Sequence, residues 1–110
     1  MNKSEYNIEI LPLAYNDLME IVRYISHKLY NPTSAKKLVY KFEKSFYDIS
    51  IFPYGMSSYS SKSDFKCEYR NYKVDSYLVF YLIDELGKKI IISRIINERM
   101  NIVDLLNNDI

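Results

Sequence analysis

"YLVFYLIDELGKKIIISRII" (Tyr77–Ile96) decides how this chain folds, because two apolar runs of strand length flank a short polar turn. In Tyr77–Asp84 both alternating sets are apolar or aromatic: Tyr77, Val79, Tyr81 and Ile83 on one side, Leu78, Phe80 and Leu82 on the other. That pattern suits a central strand covered on one face and partly on the other. In Lys89–Ile96 one set holds Ile90, Ile92, Arg94 and Ile96 and the other Ile91, Ser93 and Ile95, so Arg94 is expected to project from an otherwise apolar face. "ELGK" (Glu85–Lys88) joins the two, with Gly87 expected to take the positive φ of a tight hairpin.

Upstream, "FKCEYRNYKV" (Phe65–Val74) reads as a further strand, which makes a three-stranded meander. Before it lies a serine-rich polar loop, Phe52–Asp64, and before that the period changes to that of a helix. Ala35, Leu38, Val39, Phe42, Phe46 and Ile49 form one apolar stripe, with Lys36, Lys37, Tyr40, Lys41, Lys44 and Tyr47 mostly outside it. Ala14, Leu18, Ile21, Val22, Ile25 and Leu29 form an earlier stripe of the same kind. Between the two, "NPTS" (Asn31–Ser34) supplies a stop and a restart: Pro32 disfavours helical geometry at Asn31, and Thr33 or Ser34 can cap the next helix. An opening strand, "YNIEIL" (Tyr6–Leu11), ends at Pro12, and "NIVDLL" (Asn101–Leu106) adds a turn or two of C-terminal helix. The fold expected is α+β, β-α-α-β-β-β(-α): a helical hairpin laid on a small antiparallel sheet, one domain over residues 1–110.

Composition narrows the function classes. With 110 residues, 48% apolar, 2 glycines and 3 prolines, the chain can bury a core without metals or disulfides. Its single cysteine, Cys67, has no partner for an internal disulfide and no cluster of metal ligands around it, and reads as a strand thiol in a reducing cytoplasm. The N-terminus lacks the apolar core of a signal peptide, and Tyr77–Ile83 is too short to span a bilayer. No metal, cofactor, membrane or small-molecule ligand is expected. Net charge is +1, and it is unevenly spread: residues 1–34 carry 3 basic and 4 acidic groups, residues 35–73 8 and 4, residues 74–110 4 and 6. The middle third is the basic part, but the excess is too small for a dedicated nucleic-acid binder. The 12 tyrosines are the kind of residue on which bases stack, yet Ile, Lys and Asn are plentiful too, so most of them reflect composition.

The ordered motifs resemble the RelE/ParE superfamily of toxins from bacterial type II toxin–antitoxin modules, from about Tyr6 to Leu106. Pro12, Ala14, Asp17 and Leu18 meet its Pro–x–Ala–x–x–Asp–Leu helix start, Pro53 and Gly55 its Pro–x–Gly, Arg70 its meander arginine, and Tyr77 and Tyr81 its core-strand tyrosine pair. In the tail Arg94, Arg99 and Met100 match, while Asn97 stands where a histidine is common and Asn101 where an aspartate is common. The resemblance implies two activities. RelE-like members cut mRNA on the ribosome, which demands a base, an acid and cations for the developing phosphorane charge. Arg70, Arg94, Arg99 and Lys66 offer cations; Leu78 and Asn97 replace groups that RNase members carry, and an asparagine amide exchanges no proton near neutral pH. His27, the lone histidine, lies on the first helix, where an exposed or capping role is expected. ParE-like members inhibit DNA gyrase by binding and need no acid–base pair, so that branch is the nearer one. An antitoxin is the implied partner in both, with Tyr40, Tyr47 and Phe52 as candidate anchors and Arg94, Asn97 and Arg99 as candidate target contacts. Surface ion pairs among Arg94, Glu98 and Arg99, and a solvated lysine face, are the plain alternatives. An inactive member kept for antitoxin binding is the third reading.

Overall fold

The computed structural model describes residues 5–55 and 70–99. Strand β1 (Asn7–Ile10) leads into helix α1 (Pro12–Arg23), which runs on through a π-helical turn, Tyr24–Lys28. Helix α2 (Pro32–Ile51) and a single 3-10 turn (Pro53–Gly55) follow, then strands β2 (Arg70–Val74), β3 (Tyr77–Asp84) and β4 (Lys89–Asn97). The serine-rich loop after Gly55, residues 65–69 of the expected first meander strand with Cys67 and Lys66, and the C-terminal helix with Met100 and Asn101 lie outside the described residues.

The helices form where the apolar period demands. Pro12 and Pro32 each sit in a first helical turn, where a missing N–H costs nothing. On α2 the buried set is Ala35, Leu38, Phe42, Ser45, Phe46, Ile49 and Ser50, and the two serines satisfy their hydroxyls on carbonyls three residues back, Phe42 and Tyr47. The cap of α2 is Asn31, not Thr33 or Ser34: its side-chain oxygen accepts from Ser34 N–H at 3.1 Å. The loss of φ/ψ freedom that Pro32 imposes on Asn31 is thus put to use, since a cap residue must be non-helical. On α1, Ala14 is fully buried and Leu18, Ile21 and Ile25 pack on the core. Leu29 does not: the π-helical turn shifts the register by one residue, and Leu29 stands exposed.

The sheet order is β1-β4-β3-β2. β2–β3 and β3–β4 are antiparallel, as a meander requires, but β1 lies parallel to β4, with Ile8 opposite Ile90 and Ile10 opposite Ile92. The sheet is therefore mixed rather than antiparallel throughout. The helical hairpin between β1 and β2 lets the chain place its first strand beside its last without reversing direction.

Two details of the β3–β4 hairpin differ from the sequence expectation. Lys88, not Gly87, carries the positive φ, at 54°. Gly87 is needed for a close approach instead: its N–H donates to Asp84 Oδ1 at 3.0 Å, and a Cβ there would lie 2.6 Å from the other carboxylate oxygen. Further along, the register slips between Phe80 and Tyr81, so that Tyr81 faces Ile92 and Phe80 faces Arg94. Ser93 is the extra residue, and its hydroxyl donates to Phe80 O at 3.2 Å. A bulge of one residue reverses the facing of everything beyond it. Ile95, not Arg94, hence continues the core face begun by Ile90 and Ile92, joining Val79, Tyr81, Val74 and the α2 stripe in one core. Phe42 and Tyr77 meet within it with ring centroids 5.9 Å apart and tilted by 58°.

Candidate functional site

Arg94 is the residue that the bulge repositions. β1 stops after Ile10, so the outer edge of β4 beyond Ile92 has no strand beside it. Helix α1 crosses there, and Asp17 fills the gap. Its Oδ2 accepts from Arg94 Nε at 2.8 Å and from Ile95 N–H at 2.9 Å, while Oδ1 accepts from Arg94 Nη2 at 2.9 Å. One carboxylate thus replaces a missing strand for the backbone and neutralises the cation beside it. The side chains are 13% and 15% exposed, so this pair is largely out of water, and a fork-on-fork contact of this kind is the strong form of an ion pair.

Around that pair runs a groove of about 440 Å³, lined by Leu13, Asn16, Glu20 and Ile21 of α1 and by Tyr77, Ile95, Ile96 and Asn97 of the sheet. Asn97 ends β4: its Oδ1 accepts from Arg99 N–H at 2.9 Å. The next residue, Glu98, donates its N–H to Ser76 O at 2.9 Å and pairs with Lys73 at 3.2 Å. The start of the tail is therefore held against the β2–β3 turn.

At the other end of the sheet, Arg70 begins β2. Its guanidinium lies 5.1 Å from the centre of the Tyr54 ring and donates to Tyr54 O at 3.4 Å. The Tyr54 hydroxyl donates to Glu85 Oε2, which also accepts from Tyr6 at 2.9 Å, and Lys88 caps the Tyr6 ring at 4.5 Å. Hydrogen bonding to the carboxylate pushes the Tyr54 phenol up to about 12, and the two phenols hold the Glu85 carboxyl below its usual range. Tyr81, wholly buried, donates to Pro53 O at 2.7 Å, and burial raises its phenol strongly. Burial likewise raises Tyr77, and burial together with a hydrogen bond to Asp48 raises Tyr72. The phenols of Tyr54, Tyr72, Tyr77 and Tyr81 are weaker acids than a free tyrosine, so none of these four is poised to give up a proton near neutral pH.

The three candidate arginines are not gathered at one point. Arg70 is level with Tyr81 and Ile92, on the strand at the far side of β3 from β4, which puts it about 10 Å from β4 across the sheet. Arg94 is turned to α1, and Arg99 follows the end of β4, some 13 Å further along the strand direction than Arg70 at the usual rise per residue. Tyr40, Tyr47 and Phe52, by contrast, all stand on the surface, at 65%, 57% and 65% exposure. Tyr40 and Tyr47 are seven residues apart on α2, hence on one side of it, interleaved with exposed Lys37 and Lys44. Asp17 was legible only as part of a helix-start motif, and the Tyr6–Glu85–Tyr54 cluster left no sequence signal, because its members lie 79 and 31 residues apart. Among the described residues no three His, Cys, Asp or Glu side chains converge as a metal site, and no helix is long and apolar enough to cross a membrane.

Comparison with known proteins places this arrangement. A chain of the chromosomal ParDE TA system from P. aeruginosa superimposes with a TM-score of 0.65 at 18% identity, over 84% of this chain and 96% of that one. A chain of the RelBE toxin–antitoxin complex from Mycobacterium tuberculosis gives 0.57 at 18% identity, over 86% and 99%. A chain of the archaeal RelE–RelB complex from Pyrococcus horikoshii OT3 gives 0.53 at 12%, over 86% and 97%. At these identities the likeness is one of fold. No curated protein sequence matches the chain. A family model, however, that of the ParE toxin of the parDE type II toxin–antitoxin system, matches residues 8–102, from β1 to beyond β4 and Arg99. The chain belongs to the ParE toxin family of type II toxin–antitoxin systems.

Proposed function

We propose that this chain is a growth inhibitor that acts in the cytoplasm by binding an essential machine, with DNA gyrase as its target, and that a cognate antitoxin silences it. The observation that carries the reading is the Asp17–Arg94 pair: the tail arginine best placed to serve a reaction is tied into the fold. Asn97 beside it handles no proton, and the phenols of the sheet are shifted away from neutrality. A protein that binds needs neither group. The surfaces left for contact are Arg99 with Asn97 at the end of β4, and the α2 stripe of Lys37, Tyr40, Lys44 and Tyr47 with Phe52 beyond it. The tail end suits the target. The α2 stripe suits the antitoxin, because rings set among lysines favour an acidic segment that folds as it docks.

Induction of the chain in cells without antitoxin tests this. A gyrase poison stops replication and triggers the DNA-damage response while transcripts stay intact. Cleaved transcripts and arrested translation would instead establish the RelE-like ribonuclease, and normal growth with abundant soluble protein would establish a member retained only for antitoxin binding. Arg99→Ala is expected to abolish arrest without unfolding the chain, since among the described residues only its backbone N–H is held.

A further inference from the structure

Beyond the sheet and the α2 stripe, the tip of the helical hairpin has a distinctive shape of its own. At the end of α1 the Ser26 hydroxyl donates back to Val22 O at 2.8 Å, a contact that loosens a helix at that turn. The backbone widens there into the π-helical turn, with Leu29 N–H reaching Tyr24 O at 3.1 Å and Asn31 N–H reaching Ile25 O at 3.1 Å. Such turns recur at functional sites. Tyr30 then takes a left-handed φ of 51° and stands 88% exposed.

The result is an open cleft of about 470 Å³ lined by Glu20, Arg23, Tyr24, His27, Lys28 and Tyr30. Its size is that of a small-ligand site, roughly 300–1,000 Å³. Its cations Arg23 and Lys28, like Lys36, Lys37 and Lys44 of α2, have no carboxylate within ion-pair distance among the described residues, whereas Lys41, Lys73, Lys88 and Lys89 each have one. Two cations without a carboxylate partner among the described residues, an imidazole and two exposed phenol rings therefore border one concavity.

We infer that this cleft binds a nucleotide, its phosphate held by Arg23 and Lys28 and its base stacked on Tyr30. Stacking uses the flat exposed ring, and the cations beside it meet the phosphate. The nucleotide is either free or part of a single strand; the chemistry is shared. The inference stands apart from the choice between gyrase and mRNA.

The test is fluorescence anisotropy of a 5′-fluorescein-labelled uridine octamer titrated with the full chain. Binding is expected to weaken about tenfold with Tyr30→Ala, in the range for loss of one stacked base, and to be unchanged with Tyr30→Phe, which keeps the ring. Arg23→Gln with Lys28→Gln should lower the slope of log affinity against log salt by about 0.7 for each phosphate that is no longer neutralised. Displacement of the octamer by millimolar AMP supports the site with a free nucleotide as its ligand, and retention supports it with a strand. Absence of binding, equal binding by Tyr30→Ala, or equal competition by oligoglutamate overturns the inference.

Discussion

At the scale of single residues, Asp17 does most to join sequence to structure. Its carboxylate serves the β4 backbone and the Arg94 guanidinium together, so removing it takes this partner from a largely buried cation and from an N–H at once. Asp17→Ala is expected to cost about 3 kcal/mol in urea unfolding. The double variant Asp17→Leu with Arg94→Met should cost less than Asp17→Ala alone, because the largely buried cation is removed together with its carboxylate. A double variant at least as unstable as the single one would show that the pair matters for shape rather than charge. The Tyr6–Glu85–Tyr54 cluster makes a pH prediction. Glu85 is lowered on folding, so its contribution is complete above the unfolded glutamate value of about 4.3 and is lost as pH falls through the folded one. Tyr54 is raised, so its contribution is complete below the unfolded tyrosine value of about 10 and is lost as pH rises through about 12. Glu85→Gln should flatten both limbs of a plot of stability against pH. From the sequence, Arg94 could be seen to need a partner, since an arginine on an apolar strand face is costly alone. That the partner is Asp17, 77 residues away, follows only from where β1 stops.

At the scale of elements, the helices were legible and the irregularities were not. The α2 stripe reads directly as a 3.6-residue period, and every expected position on it is at least partly buried. The β4 bulge is invisible in the sequence, because Ser93 is as compatible with either face as with none, and the alternation after it reads wrongly by one residue. The π-helical turn does the same to α1, expelling Leu29. The parallel place of β1 is equally silent, since pairing depends on the path of the hairpin rather than on the strand's own residues. Capping is a local matter and gives a local test: Asn31→Ala should lower stability by about 1 kcal/mol, and Asn31→Asp or Asn31→Ser should keep most of it, by thermal melts followed by circular dichroism. Loss of equal size for all three would assign Asn31 some role other than the cap.

At the scale of the whole molecule, the fold separates a rigid sheet from surfaces that partners can read. The core joins α1, α2 and the sheet through Phe42, Val79, Tyr81, Ile90, Ile92 and Ile95, while Tyr30, Tyr40, Tyr47 and Phe52 stay outside it. Family membership accounts for this division, since a toxin must meet a target and an antitoxin in turn. We propose that the chain disables gyrase by binding and cuts no RNA. The most direct test of that claim is ATP-dependent supercoiling of relaxed plasmid by purified gyrase, with the folded chain titrated in. Supercoiling should fall to zero as the chain is added and return when antitoxin is supplied. Undiminished supercoiling at saturating folded chain, from a protein that still arrests growth and leaves cleaved transcripts, would contradict the claim.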